Sequence, residues 1–315
     1  MTISHFLLKY KFIRNLIRFS KRIVLPGFDG IPLFEVARFF IEGIFKGSIT
    51  SRASSIAFSF FMAVFPMIIV FFTLIPFIPI ENFHEILLNF IQNVTPDQTE
   101  AVIRQTVEDI IERPRGGLLS LTFFLALFFA TNGFDSIIDA FNKTWHTMET
   151  RSWVKQKLTS ALLFFIASII VIISISLLTG GSVFFKFLLD KGILGSNLAY
   201  YLLEAAKYII LTAMFFFTIS FIYYLAPAKD SKFRFISAGS SLATFLALAA
   251  SIGFNFYVSN FSSYNALYGS IGTLLIILVW IYFNSIILLI GFELNASIQQ
   301  AGKTALHAVH EDHTN

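Results

Sequence analysis

The chain contains no cysteine and few charged residues. Asp, Glu, Lys and Arg make up 13% of its 315 residues, whereas hydrophobic residues make up 56%. Without cysteine, the chain forms no disulfide scaffold, no catalytic thiolate and no cysteine-based metal site. Soluble globular domains contain about 25% charged residues and about 45–50% apolar residues. The composition therefore excludes a water-exposed fold around a single core and predicts a membrane protein.

Long stretches without Asp, Glu, Lys or Arg predict how often the chain crosses the bilayer. The bilayer core needs roughly 20 apolar residues per helix. The uncharged stretches are 53–80, 116–134, 158–185, 208–228 and 235–292, and the last is long enough for two helices. The predicted transmembrane helices cover 56–79, 117–135, 159–180, 208–226, 236–258 and 271–294. Because these runs are apolar on every side, they predict an all-α polytopic protein, a bundle of six transmembrane helices within residues 56–296.

The positions of the basic residues predict the orientation of the chain. If both termini are cytoplasmic, 17 of the 23 Lys and Arg residues lie in cytoplasmic segments. Membrane proteins retain such an excess of basic residues on the cytoplasmic side. The net charge of +4 is therefore attributed to topology. We expect membrane lipids as partners and no nucleic acid, while self-association into a homo-oligomer stays open.

Segments outside the six helices also carry patterns. Residues 1–55 are basic and amphipathic, with Lys and Arg recurring at three- and four-residue steps, and a second amphipathic piece covers 34–46. Both pieces are expected to lie on anionic lipid headgroups; the alternative is a gate or a lipid entry ramp. The outer loop 80–116 is acidic and helical in pattern. The cytoplasmic tail 297–315 is expected to lack fixed structure.

The sequence offers little for catalysis. Three of the six histidines, His307, His310 and His313, resemble a zinc-hydrolase motif, but their spacing is one residue too long. A solvated tail is the preferred interpretation, ahead of adventitious metal binding and of a catalytic metal site. The sequence contains no phosphate-binding glycine loop, nucleophile elbow or His-Glu-x-x-His motif. We therefore expect no enzyme activity, no cofactor and no metal.

Ionisable and amide side chains at membrane depth are candidate functional residues. Glu293, at the inner end of the sixth helix, either takes part in proton or ion transfer or snorkels to the interface. Asn132, Asp135, Asp139 and Asn142 share one face at the end of the second helix, either as a salt-bridged structural stripe or as part of a substrate vestibule.

Two further residues lie within predicted helices. Pro66, in the middle of the first helix, removes a backbone hydrogen bond and predicts a kink. Asn284, in the sixth helix, is expected to find a partner inside the bundle. With the polar residues above, they predict a transport or gating cavity between helices one, two, five and six.

Three segments carry a specific resemblance. They read SYNALYGS at 263–270, LVWIY at 278–282 and LIGFELNA at 289–296, and Arg52-Ala53 and Tyr224-Leu225-Ala226-Pro227 match in order. Together they resemble the YihY/BrkB family, formerly filed as ribonuclease BN-like. The resemblance implies a six-helix protein of the bacterial inner membrane, and it adds Tyr264, Asn265 and Gly269 to the candidate transport or gating residues.

Three functions fit these observations, in order of preference. The first is a transporter for a lipid or another amphiphile. The second is an envelope scaffold that recruits partners through the acidic outer loop 80–116. The third is a membrane-bound ribonuclease, which is discounted because no residue set in the sequence is arranged to position a metal-activated water on a phosphodiester.

Overall fold

A computed structural model describes residues 18–74, 116–144, 147–148, 151–192, 196–228, 234–260 and 270–314. The helices in these ranges are α1 (Leu33–Lys46), α2 (Ile49–Leu74), α3 (Gly116–Asn142), α4 (Trp153–Asp190), α5 (Ser196–Leu225), α6 (Ala238–Asn260) and α7 (Ser270–Thr314). The strands described are β1 (Lys143–Thr144) and β2 (Thr147–Met148), which pair as an antiparallel hairpin. The predicted outer-loop helix lies outside the described residues.

Within the described residues, six helices are long and apolar enough to cross a membrane. Their spans are Ile49–Val70, Ser120–Asn142, Trp153–Asp190, Tyr200–Leu225, Ala238–Tyr257 and Leu274–Thr304. The prediction of a six-span, all-α membrane protein is confirmed. The third span is longer than predicted at both ends, because α4 begins at Trp153 and continues through Gly180-Gly181 to Asp190. At 1.5 Å per residue, its 38 residues extend about 57 Å, well beyond the bilayer core.

The chain divides into two compact units, residues 1–56 with 134–315, and residues 57–133. In the first unit, α4 packs along α5, α5 on α6, α6 on α7, and α7 on α1. In the second unit, the ring of Phe60 lies against Gly133, where a Cβ atom would stand 3.0 Å from the ring. The absence of a side chain at Gly133 therefore makes room for the aromatic ring.

The end of α7 corrects the expectation of an unstructured tail. The helix continues to Thr314, and Ile298 and Ala301 are buried in a cluster with Phe28, Ile31 and Val36. This cluster buries one apolar face of the tail and so stabilises the helix beyond residue 297. The predicted helix at 34–46 is confirmed as α1, but its Val36 face packs against α7 inside the protein.

Candidate functional site

A buried ion pair joins the beginning of α2 to α7. The carboxylate of Glu293 is fully buried, and the side chain of Arg52 is 8% exposed. Arg52 Nη2 lies 2.5 Å from Glu293 Oε1. Two opposite charges at this distance, out of water, form a strong charge-assisted hydrogen bond. The alternative that Glu293 snorkels to the membrane interface is therefore wrong.

The hairpin after α3 completes the coordination of the carboxylate. Thr144, which is 1% exposed, places its hydroxyl 2.9 Å from Glu293 Oε1 and 3.0 Å from Oε2. Arg52 Nη1 donates a hydrogen bond of 2.9 Å to the carbonyl oxygen of Ala140, near the end of α3. Three separate segments of the chain thus meet at one buried carboxylate. We name Arg52, Thr144 and Glu293 the buried polar centre.

The turn between α1 and α2 lies over this centre. A Cβ atom on Gly47 would stand 3.0 Å from Arg52 Nη2 and 3.4 Å from Glu293 Oε1. Glycine therefore allows the backbone to approach the ion pair closely. The Arg52 Nε–H is buried and has no hydrogen-bond partner in the described part of the chain. The guanidinium is thus held by two of its three nitrogens.

Aromatic rings pack beside the centre. The rings of Phe141 and Phe292 stack with their centroids 3.9 Å apart, and the ring of Tyr223 packs against both. The Tyr223 hydroxyl donates to the carbonyl oxygen of Leu288 at 2.6 Å. Phe141 and Phe292 are 1% and 3% exposed, so these rings form part of a buried, apolar environment. Electrostatic interactions are stronger in such an environment.

Asn295, two residues after Glu293, ties α7 to the beginning of α6. Its Oδ1 accepts a hydrogen bond of 2.8 Å from the backbone N–H of Gly239, and its Nδ2 donates to Ser237 Oγ at 2.9 Å. Asn295 is 4% exposed. The amide therefore satisfies one of the orphan N–H groups at the start of α6.

The predicted acidic face of α3 makes structural contacts. Asp135 accepts hydrogen bonds of 2.8 Å from both Gln156 and Lys157 at the beginning of α4. Asp139 pairs with Lys143 one turn later, where both side chains are at least half exposed. These contacts favour the interpretation of this face as a salt-bridged stripe over that of a substrate vestibule.

Asn142 and Arg151 anchor the loop after α5. Asn142 Oδ1 accepts a hydrogen bond of 2.9 Å from the backbone N–H of Ala228. Arg151 donates to the carbonyl oxygens of Leu225 and Pro227 at 3.3 Å and 2.5 Å. Partial burial lowers the pKa of the Arg151 guanidinium, but arginine stays protonated at neutral pH. The cation therefore caps the carboxyl end of α5, where the helix dipole favours positive charge.

The other predicted site residues are not brought to the centre. Pro66 is buried inside α2, which continues as a helix on both sides of it, and Asn132 lies half-buried on α3. The kink at Pro66 stays a prediction. Asn284 donates a hydrogen bond of 2.9 Å to the carbonyl oxygen of Trp280, one turn earlier on its own helix. The signature residues Tyr264, Asn265 and Gly269 lie outside the described residues.

An apolar groove of about 540 Å³ opens between α6 and α7. It is lined by Ala250, Gly253, Phe254, Tyr257, Val279, Trp280 and Phe283. The rings of Phe254 and Trp280 lie 4.6 Å apart across the two helices. An added Cβ atom on Gly253 would meet nothing within 4 Å, so the glycine leaves the groove open. Of the four helices predicted to line a cavity, the fifth and sixth line this groove.

Sequence reasoning missed the roles of Arg52 and Thr144. In the sequence Arg52 directly precedes the uncharged stretch 53–80, and only the structure places it inside the first turn of the transmembrane helix. Its partner Glu293 is 241 positions away, and Thr144 is 149 positions from Glu293. No local pattern connects residues so far apart. Within the described residues, no three His, Asp or Glu side chains are grouped closely enough to hold a metal ion.

These features define the class of the protein. Six membrane-spanning helices with a buried polar centre between α2 and α7 make the chain a multi-pass, all-α membrane protein. A family model described as "Virulence factor BrkB" matches residues 40–313. The chain therefore belongs to the BrkB virulence factor family, as the three signature segments predict.

Several relatives match most of this chain. The ribonuclease-like protein YfkH of Bacillus subtilis is 27% identical over 253 residues, covering 80% of this chain and 91% of YfkH. The UPF0761 membrane protein NTHI0384 of Haemophilus influenzae is 25% identical, covering 82% of this chain and 93% of the relative. A UPF0761 membrane protein of Pseudoalteromonas atlantica is 25% identical, covering 83% and 85%. No solved structure matches.

Proposed function

We propose that the protein is a transporter that moves a lipid or another amphiphile through the membrane. The observation that carries this proposal is the groove between α6 and α7. Its volume of about 540 Å³ lies within the range of about 300–1,000 Å³ typical of small-molecule sites. Its lining is aromatic and aliphatic, which suits an acyl chain or a similar apolar group.

The position of the groove supports entry from the bilayer. Its residues belong to the spans Ala238–Tyr257 and Leu274–Thr304. Neighbouring side chains on both helices are exposed and apolar, including Ile252, Phe256 and Leu275. In a membrane these side chains contact lipid tails, so an amphiphile reaches the groove laterally without crossing water.

The buried polar centre supports a conformational role in transport. From Phe283 in the groove to Glu293, α7 rises about 15 Å. Any shift of α7 that widens the groove therefore acts on the Arg52–Glu293 pair. Removing the partner of a buried charge is costly, so the pair favours one arrangement of α7 over the others. We assign it the role of a latch.

We also propose that the protein lies in the bacterial inner membrane and has no catalytic activity. The excess of basic residues in four segments supports a bacterial inner membrane protein with both termini in the cytoplasm. At the buried polar centre, both Glu293 oxygens accept hydrogen bonds from protein groups, which supports a structural role rather than a catalytic one. The name ribonuclease-like describes YfkH. The scaffold alternative depends on residues 80–116, most of which lie outside the described residues.

Lipid transfer in liposomes tests the proposal. The purified chain is reconstituted with a fluorescent phospholipid, and the fraction reached by an external reducing agent is followed over time. Gly253→Leu fills the groove, and we expect it to slow redistribution about tenfold, the effect of a clash of about 1.4 kcal/mol. Gly180→Leu is the matched control, because an added Cβ atom there also meets nothing within 4 Å but lies on α4.

Two results would contradict the proposal. One is wild-type protein that moves the lipid no faster than empty vesicles do, for phospholipids and for a panel of other amphiphiles. The other is equal transfer by Gly253→Leu and Gly180→Leu, which would show that the groove is not on the path. Both variants must elute like wild type in gel filtration before their rates are compared.

A further inference from the structure

Helix α1 has two apolar faces. One face contains Val36 and Gly43, which are buried, and Val36 packs in the cluster that includes Ile298 and Ala301 of α7. On the opposite side, Phe34, Arg38, Ile41 and Phe45 follow one another at steps of four, three and four residues. Residues at this spacing form one stripe along a helix. We name these four residues the exposed stripe.

In the part of the chain that the structure describes, Arg38, Ile41 and Phe45 of the stripe are exposed, whereas Phe34 is half-buried. The side chain of Phe45 is 83% exposed and that of Ile41 is 54% exposed. Exposing large apolar side chains on a second helix face is unfavourable in water, and such a face marks a site of contact with a partner or a membrane. The packing of α1 against α7 therefore leaves large apolar side chains of α1 exposed.

Basic groups accompany the apolar side chains of the stripe. Arg38 belongs to the stripe itself, and the ammonium group of Lys21 lies 5.0 Å above the ring of Phe34. Lys46 follows Phe45 in the last turn of α1. The acidic Glu42 approaches Arg38 only at 3.8 Å, with both side chains solvent-accessible, so this ion pair holds Arg38 weakly. Apolar residues flanked by Lys and Arg are typical of helices that lie on anionic lipid.

The chain also places α1 close to the bilayer. Lys46 ends α1, and the membrane span begins at Ile49. Phe45 is thus four residues from a segment that lies in the membrane. We infer that the exposed stripe docks on the anionic headgroup layer, with Phe45 and Ile41 inserted among the lipids and Arg38 contacting phosphate. This inference is independent of the transport proposal.

Single-cysteine labelling of the full chain tests the inference, because the native sequence contains no cysteine. Phe45→Cys carries a fluorescent label in the reconstituted protein, and Lys46→Cys is the control, since it lies about 100° further around α1. Vesicles contain phosphatidylcholine alone or with phosphatidylglycerol. We expect the label at position 45 to be quenched by nitroxide lipids and protected from iodide, and the label at position 46 to show the reverse.

The contribution of the Arg38 charge to docking of the exposed stripe is measured in the same protein. In vesicles with phosphatidylglycerol, adding Arg38→Gln to Phe45→Cys is expected to lower the ratio of inserted to water-exposed label about fivefold, the effect of one basic residue at an anionic surface. Ile41→Cys repeats the measurement one turn earlier. Equal iodide quenching at positions 45 and 46 would overturn the inference. So would protection that is the same in both vesicles, if unlabelled Phe45→Cys protein also forms disulfide-linked dimers when an oxidant is added, since a second copy would then cover the stripe.

Discussion

At the residue scale, burial determines how much an ion pair contributes to the free energy of unfolding. Arg52–Glu293 and Asp139–Lys143 have similar separations, 2.5 Å and 2.6 Å, but the first is almost fully buried and the second is at least half exposed. An exposed pair contributes about 0–1 kcal/mol because water and salt screen it. A buried charge that loses its partner destabilises the fold by about 3–5 kcal/mol.

We therefore predict that Arg52→Leu lowers the free energy of unfolding by about 3–5 kcal/mol, because it leaves the Glu293 carboxylate buried without a cation. The double variant Arg52→Leu with Glu293→Leu is expected to lose less than Arg52→Leu alone, since no charge then remains in the core. Unfolding of the purified chain in detergent, analysed as a double-mutant cycle, measures both effects.

Lys143→Leu is the matched control for this cycle, because it removes the cation of the exposed pair. Its effect is expected to stay within about 1 kcal/mol. If Arg52→Leu and Lys143→Leu changed the unfolding free energy equally, the buried pair would not hold α2 to α7, and the latch role assigned to it would be lost.

At the element scale, two glycines set the distance between α6 and α7. A Cβ atom on Gly291 would stand 2.6 Å from the carbonyl oxygen of Gly239 and 2.8 Å from the Cβ of Ala243. Real Cβ atoms essentially never make contacts under 3.0 Å, so a larger residue at position 291 must push the helices apart. Small residues at such crossings are the usual way in which membrane helices approach each other.

We predict that Gly291→Ala destabilises the protein by about 1–3 kcal/mol through overpacking of this crossing. Gly181→Ala on α4 is the control, because a Cβ atom there meets nothing within 4 Å; its expected effect is neutral or slightly stabilising, since alanine favours the helix. Thermal unfolding of both variants in one detergent compares them. A Gly291→Ala variant as stable as Gly181→Ala would contradict the close packing of α6 on α7.

The helices were predictable to the extent that their signals are local. Uncharged length predicts the six spans, and the three-to-four-residue spacing predicts α1, because both depend on neighbouring residues. The helical tail was missed because its stability depends on Phe28 and Ile31, which are distant in the sequence from Ile298 and Ala301.

The buried polar centre was only half predictable for the same reason. Glu293 stands out as a carboxylate at the end of an apolar run, which is a local signal. The contacts of Arg52 and Thr144 with Glu293 depend on the tertiary structure, and no local sequence pattern indicates them. The partner of Asn284 is by contrast local, because its amide N–H donates to the carbonyl oxygen of Trp280 one turn earlier in the same helix.

At the scale of the whole molecule, successive transmembrane helices cross the membrane in opposite directions. The orientation that the basic residues predict therefore fixes the side on which each end of every helix lies. The helix α4 offers a direct comparison, because it runs as one helix from Trp153 to Asp190 and exposes lysines near both ends. If both termini are cytoplasmic, the beginning of α4 faces the cytoplasm and its end faces outwards.

We predict that Lys191→Cys reacts with a membrane-impermeant maleimide in intact bacterial spheroplasts, whereas Lys155→Cys reacts only after the membrane is permeabilised. Both lysines are exposed, and the absence of native cysteine removes background labelling. Labelled protein on a gel measures each fraction. The reverse pattern would place the termini and the exposed stripe of α1 on the outer side. In that case the stripe would meet the outer leaflet, and the excess of Lys and Arg would need a cause other than topology.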